Sequence, residues 1–244
     1  MNLVIDIGNN YFKLAVFGNE ALIFSKSGKT SVLEESIPRL IDDFPKIKFS
    51  LISNVSDLSD SSIKIILRKK NIKIYDFDSS LKLPFIVNYK TMETLGNDRL
   101  AVVAASVKLY PDSNNIIIDA GTCLTADFIS DKNIYLGGMI SPGIDMRYKS
   151  LKDYTARLPK LEKSPHFKFP ADSTTGSMHA GVIGGVINEI LGFIDQLTSE
   201  YENINVILTG GDAEFLSKTL KITIFANQNF ILEGLNSILN LNNH

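Results

Sequence analysis

Cysteine is nearly absent: Cys123 stands alone in 244 residues, so no internal disulfide can staple the fold and a reducing compartment fits. Histidine is scarce too, and His166, His179 and His244 are too scattered to give the spacing of a zinc site. Neither sign of charge dominates. The 25 Lys and Arg against 27 Asp and Glu leave a formal net charge of −2, and nothing in that balance suggests a basic face that tracks a nucleic-acid backbone or an anionic membrane. No apolar run approaches the ~18 residues of a membrane span, and the opening Leu3-Val4-Ile5 is broken by Asp6 with no cationic segment before it. The expectation is a cytoplasmic protein with no nucleic acid and no membrane among its partners, which should be small molecules or protein.

Hydrophobic residues make up 44% of the chain and charged residues 21%, the balance of a globular protein with a real core. The length suits two compact halves of about 120 residues each. Apolar runs at 2–7, 11–17 and 21–25, separated by Gly8-Asn9-Asn10 and Gly18-Asn19, read as a three-stranded meander. Val32, Leu33, Ile37, Leu40, Ile41 and Phe44 then recur at helical spacing. A strand at 49–53, a helix at 59–70 and a strand at 72–75 continue the alternation, and the irregular stretch 79–94 leads to a helix carrying Leu100, Val103, Val107 and Tyr110. After that the opening is repeated: Ile116-Ile117-Ile118-Asp119-Ala120-Gly121-Thr122 follows the pattern of Leu3-Val4-Ile5-Asp6-Ile7-Gly8-Asn9. Strands at 124–129 and 134–140, a helix after Pro142-Gly143, a surface loop at 154–170, a long helix at about 178–200, a strand at 205–209 and an amphipathic helix at 229–241 complete the second half. The predicted architecture is α/β, with mixed sheets flanked by helices. The halves are 1–111 and 112–244, with helix 229–241 able to pack back on the first.

The chemistry gathers at turns. An apolar strand delivers Asp6 to the end of a sheet, where a carboxylate can hold Mg²⁺ through waters, and Gly8 lets a phosphate approach backbone amides. Asn9, Asn10 and Lys13 add donors and one positive charge. A single Asp-x-Gly turn is also ordinary hairpin chemistry. Its repetition at Asp119-Ala120-Gly121-Thr122 points instead to two phosphate loops facing each other across a nucleotide cleft between related halves, with Thr122 offering a hydroxyl and an amide. Thr209-Gly210-Gly211-Asp212 supplies bare backbone against which an adenine or ribose can lie. Gly96-Asn97-Asp98-Arg99 sets a carboxylate beside a guanidinium just before a helix: Asp98 as base and Arg99 as cation suit phosphoryl transfer to an alcohol, and a helix N-cap at Asn97 or Asp98 is the plain alternative. Thr174, in Ser173-Thr174-Thr175-Gly176, caps a helix or contacts substrate, and Tyr89 packs or forms a pocket wall. Cys123 has no base beside it in sequence, which predicts a buried or inert thiol.

Together these turns resemble the acetate and sugar kinase/Hsp70/actin superfamily, which implies two similar ribonuclease H-like halves, each with a mixed five-stranded sheet, in an actin-like ATPase fold. More narrowly, Asp6-Ile7-Gly8-Asn9, Gly96-Asn97-Asp98-Arg99, Asp119-Ala120-Gly121-Thr122, Gly137-Gly138-Met139-Ile140-Ser141-Pro142-Gly143, and Thr174 with Met178 and Gly181 resemble the type III pantothenate kinases. That resemblance implies transfer of the ATP γ-phosphate to the 4′-hydroxyl of pantothenate, the first committed step toward coenzyme A. Carried over by position, Asp6, Ile7, Gly8, Asn9, Asn10, Tyr11, Phe12 and Lys13 would bind ATP phosphates and metal, with Thr122, Gly210 and Gly211 completing the nucleotide contacts. Asp98 would accept the proton, and Asp119 would hold the monovalent cation, K⁺ or NH₄⁺. Tyr89, Gly96, Asn97, Asp98, Arg99 and Thr174 would line the pantothenate site, Arg99 meeting its carboxylate. The resemblance also implies a homodimer with the pocket at or near the subunit interface, the long small-residue-rich helix of the second half being a contact surface. Asn10 stands where the family usually has Thr or Ser, and Cys123 where a small residue such as Ala is common. The competing readings are a kinase of the same superfamily with another small acceptor and a non-catalytic nucleotide-binding regulatory relative.

Overall fold

The structure is a computed structural model and describes residues 1–56, 59–220 and 225–243. His244 lies outside them. The chain divides into two compact units, Met1–Pro111 joined by the C-terminal segment from Asn229, and Asp112–Gln228.

Unit 1 opens with the meander β1 (Asn2–Ile7), β2 (Tyr11–Gly18) and β3 (Ala21–Lys29). Then come α1 (Leu33–Asp43), β4 (Phe49–Asn54), α2 (Ser61–Lys69), β5 (Lys73–Asp76), the two-residue strand β6 (Ile86–Val87) and α3 (Asn97–Leu109). The sheet order is β3-β2-β1-β4-β5. Central β1 is antiparallel to β2 and parallel to β4, and β4 is parallel to β5. Period-two alternation sends Leu3, Ile5 and Ile7 into one core with Ile37 and Leu40 of α1 and Ile63 and Leu67 of α2. Helix α1 keeps Pro38 on its exposed side. Strand β3 runs past the expected end at residue 25 to Lys29. As an edge strand mostly open to solvent it needs only one partner, so its polar tail, Lys26 to Lys29, carries no apolar signal.

Unit 2 repeats the plan with β7 (Asn114–Ala120), β8 (Cys123–Ile129) and β9 (Ile134–Pro142), then α4 (Ile144–Asp153), α5 (Thr174–His179), a π-helical turn at Ala180–Gly184, α6 (Gly185–Thr198), β10 (Ile204–Thr209), α7 (Ala213–Ser217) and β11 (Phe225–Ala226). Its sheet runs β11-β10-β7-β8-β9, the same order as in unit 1 with each strand replaced by its counterpart. Strand β7 is antiparallel to β8 and parallel to β10. By length and composition alone the 25-residue helix Thr174–Thr198 could cross a membrane, although Asn188, Glu189 and Asp195 interrupt its apolar run. Here Val182, Ile183, Val186, Ile190 and Ile194 of that helix are buried with Ile116, Ile118 and Phe128 of the sheet. Beside it, the Tyr148 hydroxyl of α4 lies 2.6 Å from His179 Nδ1.

The last helix, α8 (Phe230–Asn242), belongs to unit 1, where it packs on α3 and β1. Asn2 Nδ2 donates to Asn236 Oδ1 at 2.8 Å and to Asn240 Oδ1 at 2.6 Å, tying the first strand to the last helix. The helices touch at Gly234, where a Cβ would sit 1.7 Å from the Ala101 carbonyl oxygen.

Gly234→Ala gains about 1 kcal/mol of helix propensity, but the obstacle is backbone. The expected net result is a loss of roughly 1–3 kcal/mol, as in overpacked cores, read as a lower urea midpoint; a higher midpoint would contradict this packing. Burial also pushes the Tyr148 phenol up from 10.0 to about 12. A pKa raised on folding contributes stability that is complete below the unfolded value and is lost as pH climbs through the folded one. Between pH 10 and about 12 the wild type should therefore lose about 2 kcal/mol more than Tyr148→Phe. Parallel alkaline unfolding curves for the two proteins would disprove it.

Candidate functional site

In unit 1 the first Asp-x-Gly turn is held from three sides. Gly8 N–H donates to the Tyr11 carbonyl at 3.0 Å, Thr30 N–H to the Asn10 carbonyl at 3.1 Å, and Val55 N–H to the Ile7 carbonyl at 3.1 Å. Thr30 Oγ1 adds a bond to the Gly8 carbonyl at 3.3 Å. A Cβ on Gly8 would approach the Tyr11 carbonyl to 3.0 Å, so the tight turn favours glycine. Asp6 is half-buried, pairs across the ladder with Lys13 on β2 and lies in register with Ser53 on β4. Asn9, Asn10 and Tyr11 are exposed, Tyr11 at 62%. Ile7 and Phe12 have their side chains in the core, which leaves Asp6, Asn9, Asn10, Tyr11 and Lys13 as the side chains of this run that a ligand could meet.

The Gly-Asn-Asp-Arg segment forms the start of α3. Gly96 takes the N-cap position, with no side-chain cap, so neither Asn97 nor Asp98 is the cap. Asn97 Nδ2 donates to the Phe77 carbonyl at 3.0 Å, anchoring the helix start to the chain just beyond β5. Asp98 Oδ1 accepts the Arg99 N–H at 2.8 Å, which fixes the carboxylate. A side chain at position 96 would come within 2.4 Å of that same oxygen. Arg99 is 5% exposed, and its guanidinium carbon lies 5.8 Å from the Tyr89 ring centroid, a cation–π distance. Asp98, Arg99 and Tyr89 are thereby gathered at one end of α3.

In unit 2 the second turn meets the Gly-Gly segment. Parallel pairing sets Asp119 against Thr209, and Asp212 N–H donates to the Ala120 carbonyl at 2.9 Å. Gly210 has φ +95°, and a Cβ there would lie 2.4 Å from both Asp119 Oδ1 and the Ala120 carbonyl oxygen; conformation and space both require glycine. At Gly211 a Cβ would meet nothing within 4 Å. Asp119 Oδ1 thus sits in a cradle closed by Gly210, and a Cβ added to Gly121 would stand 3.7 Å from the same oxygen. Asp212 pairs with Lys163, a partner forty-nine residues back that no local pattern points to. Thr122 is exposed, and so is Cys123, which removes the buried alternative of the buried or inert thiol expected: its position at the first residue of β8, beside the turn, leaves it open.

Thr174 begins α5 but does not cap it; Ser173 Oγ does, accepting the Gly176 N–H at 3.1 Å. Thr174 lines a pocket of roughly 450 Å³ with Arg147, Leu151, Ser177, Met178 and Gly181. Among the described residues no cluster of three His, Cys, Asp or Glu side chains could hold a metal on its own. A cation at Asp6 or Asp119 would therefore draw on other oxygens besides such a cluster, from backbone, ligand or water, as Mg²⁺ does on nucleotide phosphates.

Comparison with known proteins agrees along the chain. The family model for type III pantothenate kinase matches residues 2–196. The chain is 46% identical over 242 residues to the type III pantothenate kinase of Christiangramia forsetii, covering 99% of each protein. It is 41% identical over 235 residues to that of Flavobacterium johnsoniae, covering 96% of each. Among solved structures, a Campylobacter jejuni protein assigned to the Baf family of transcriptional activators superposes with a TM-score of 0.65 over 99% of this chain and 98% of that one, at 22% identity. That likeness concerns the fold, and the duplicated sheet order described above is that of the actin-like ATPase fold. With a family model spanning most of its length and identities above 40% over nearly all of it, this chain belongs to the type III pantothenate kinase family.

Proposed function

We propose that the protein transfers the γ-phosphate of ATP to the 4′-hydroxyl of pantothenate, giving 4′-phosphopantothenate and ADP. The observation that carries this reading is the full-length identity to type III pantothenate kinases, joined to the gathering of Asp98, Arg99 and Tyr89 at the start of α3. In the proposed reaction Asp98 takes the hydroxyl proton as the alcohol oxygen bonds to the γ-phosphorus and the bond to the departing ADP oxygen breaks. The Arg99 guanidinium, nearly buried, suits the pantothenate carboxylate, for which a fixed fork of donors is well shaped. Tyr89, Gly96, Asn97 and Thr174 complete the acceptor site.

Nucleotide contacts are assigned to the run Asp6 to Lys13 and to Thr122, Gly210 and Gly211. Ile7, Gly8 and Phe12 enter through the turn's backbone. Asp6 suits Mg²⁺, and the Gly210 cradle around Asp119 Oδ1 suits a monovalent cation, K⁺ or NH₄⁺. Bound there, such cations neutralise phosphate charge. A homodimer is part of the same proposal. Gly181, Gly185 and Gly192 on the long helix have open space where a Cβ would stand, which supports that helix as the contact face.

A coupled assay of ADP release, with and without pantothenate and with K⁺ against Na⁺, tests the reaction. Pantothenate-dependent release that falls when Na⁺ replaces K⁺ is expected, and release indifferent to pantothenate would sink the reading. Asp98→Asn keeps an acceptor for the Arg99 N–H and should melt like wild type while losing about 10²–10⁴-fold in kcat. A full-rate Asn variant would remove Asp98 from its role. The two glycines should separate: Gly210→Ala lowers the melting temperature, whereas Gly211→Val folds normally and raises KM for ATP several-fold. Unchanged nucleotide binding in Gly211→Val would remove that residue from the ATP site.

A further inference from the structure

None of the roles proposed above uses the side-chain cluster around Arg147. Arg147, on α4, donates from Nε to the Pro142 carbonyl at 2.8 Å, and from Nη2 to Ser141 Oγ at 2.8 Å and to Glu189 Oε2 at 2.5 Å. Its backbone N–H donates to the Gly143 carbonyl at 3.0 Å. The arginine side chain thus grips Ser141 and Pro142 at the end of β9 and, through Glu189, the helix α6, while its backbone N–H closes the first turn of α4 on the cap residue Gly143. Both charged side chains are about four-fifths buried, at 21% and 22% exposed.

The gripped strand end leaves no slack against the second Asp-x-Gly turn. Gly143 N–H donates to the Thr122 carbonyl at 3.1 Å. A Cβ on Gly143 would come within 2.2 Å of the Gly121 carbonyl oxygen and 2.5 Å of that of Thr122. Gly143 therefore packs directly on the turn's backbone, so that its displacement toward the turn is passed on to it. On its other side Glu189 lies on the helix that begins at Thr174, and Arg147 shares the roughly 450 Å³ pocket with Thr174.

We propose that Arg147 is a positioning residue for phosphoryl transfer: with Glu189 it locks the Thr122 turn to the Thr174 helix, holding this unit's nucleotide and acceptor contacts in one register. The proposal rests on the kinase reading and its assignment of those two threonines. An isolated exposed ion pair would do little, but here a planar fork spans a charged side chain, a hydroxyl and a carbonyl. Lysine, a point charge on a flexible stem, cannot reproduce that pattern.

The test compares Arg147→Ala, Arg147→Lys, Glu189→Ala, Glu189→Gln and the double alanine variant at 25 °C, with melting curves to establish that each is folded. Arg147→Ala and Arg147→Lys should each raise KM for both ATP and pantothenate roughly ten-fold, the scale of a small misplacement of bound groups. Glu189→Gln, which keeps an acceptor oxygen, should do less. The double alanine variant should be no worse than the single ones, because both remove the same link. Lower melting temperatures with both KM values within about two-fold of wild type, against that ten-fold scale, would overturn the proposal. If Arg147→Ala does not fold, the Lys and Gln variants decide by the same criterion. Failure of the kinase reading shows separately, as wild-type protein without pantothenate-dependent ADP release; calorimetric titration with ADP then decides, weaker binding by Arg147→Lys supporting the positioning role and equal binding overturning it.

Discussion

Each sheet is organised by a central strand that is antiparallel to a hairpin partner on one side and parallel to a later strand on the other. In unit 1 this sets Asp6 of β1 in register with Lys13 and Ser53; in unit 2 it sets Asp119 of β7 in register with Thr125 and Thr209. A parallel neighbour requires a crossover connection, so helices necessarily cover the sheet, while the hairpin side brings a tight turn directly after the aspartate. One carboxylate and one glycine turn at the end of a buried strand are the outcome in both units. The surroundings then differ. Asp6 lies opposite Lys13 on β2 and precedes a turn with exposed Asn9 and Asn10, whereas Asp119 faces the bare backbone of Gly210. The same topology therefore yields one aspartate in register with a lysine and another walled by glycine backbone.

The two units also show how differently glycine is used. Gly210, Gly143 and Gly234 are demanded by backbone approaching within about 2.4 Å of a would-be Cβ. Gly211 and Gly181 face open space. Glycines of the first kind fix how strands and helices meet; those of the second leave room for a ligand or a second chain. From the sequence alone the two kinds look alike, since Gly210 and Gly211 are adjacent.

Much of the fold was legible because short apolar runs ending in Asp-x-Gly announce both the strand and its turn, and because the second copy repeats the first. What escaped detection had physical reasons. The polar tail of β3 is an edge, and α7 spans only Ala213–Ser217, too few residues for a helical period. Helix α3 buries eight consecutive residues from Arg99 to Ser106, so its start at Asn97 carried no amphipathic signature. At the site, residue types could be read but not their local duties. Capping fell to Gly96 and Ser173 rather than to Asn97 or Asp98 and to Thr174, and Cys123 proved exposed. The Arg147–Glu189 contact joins residues forty-two positions apart, and Lys163–Asp212 is similarly remote; such pairs exist only once the helices and strand ends have been brought together.

Identification of the product is the most direct measurement of the chemistry. Incubated with ATP, pantothenate, Mg²⁺ and K⁺, and followed by phosphorus NMR with mass spectrometry, the protein should form 4′-phosphopantothenate in step with ADP. ADP accompanied only by inorganic phosphate, or no conversion of pantothenate at all, would contradict the account.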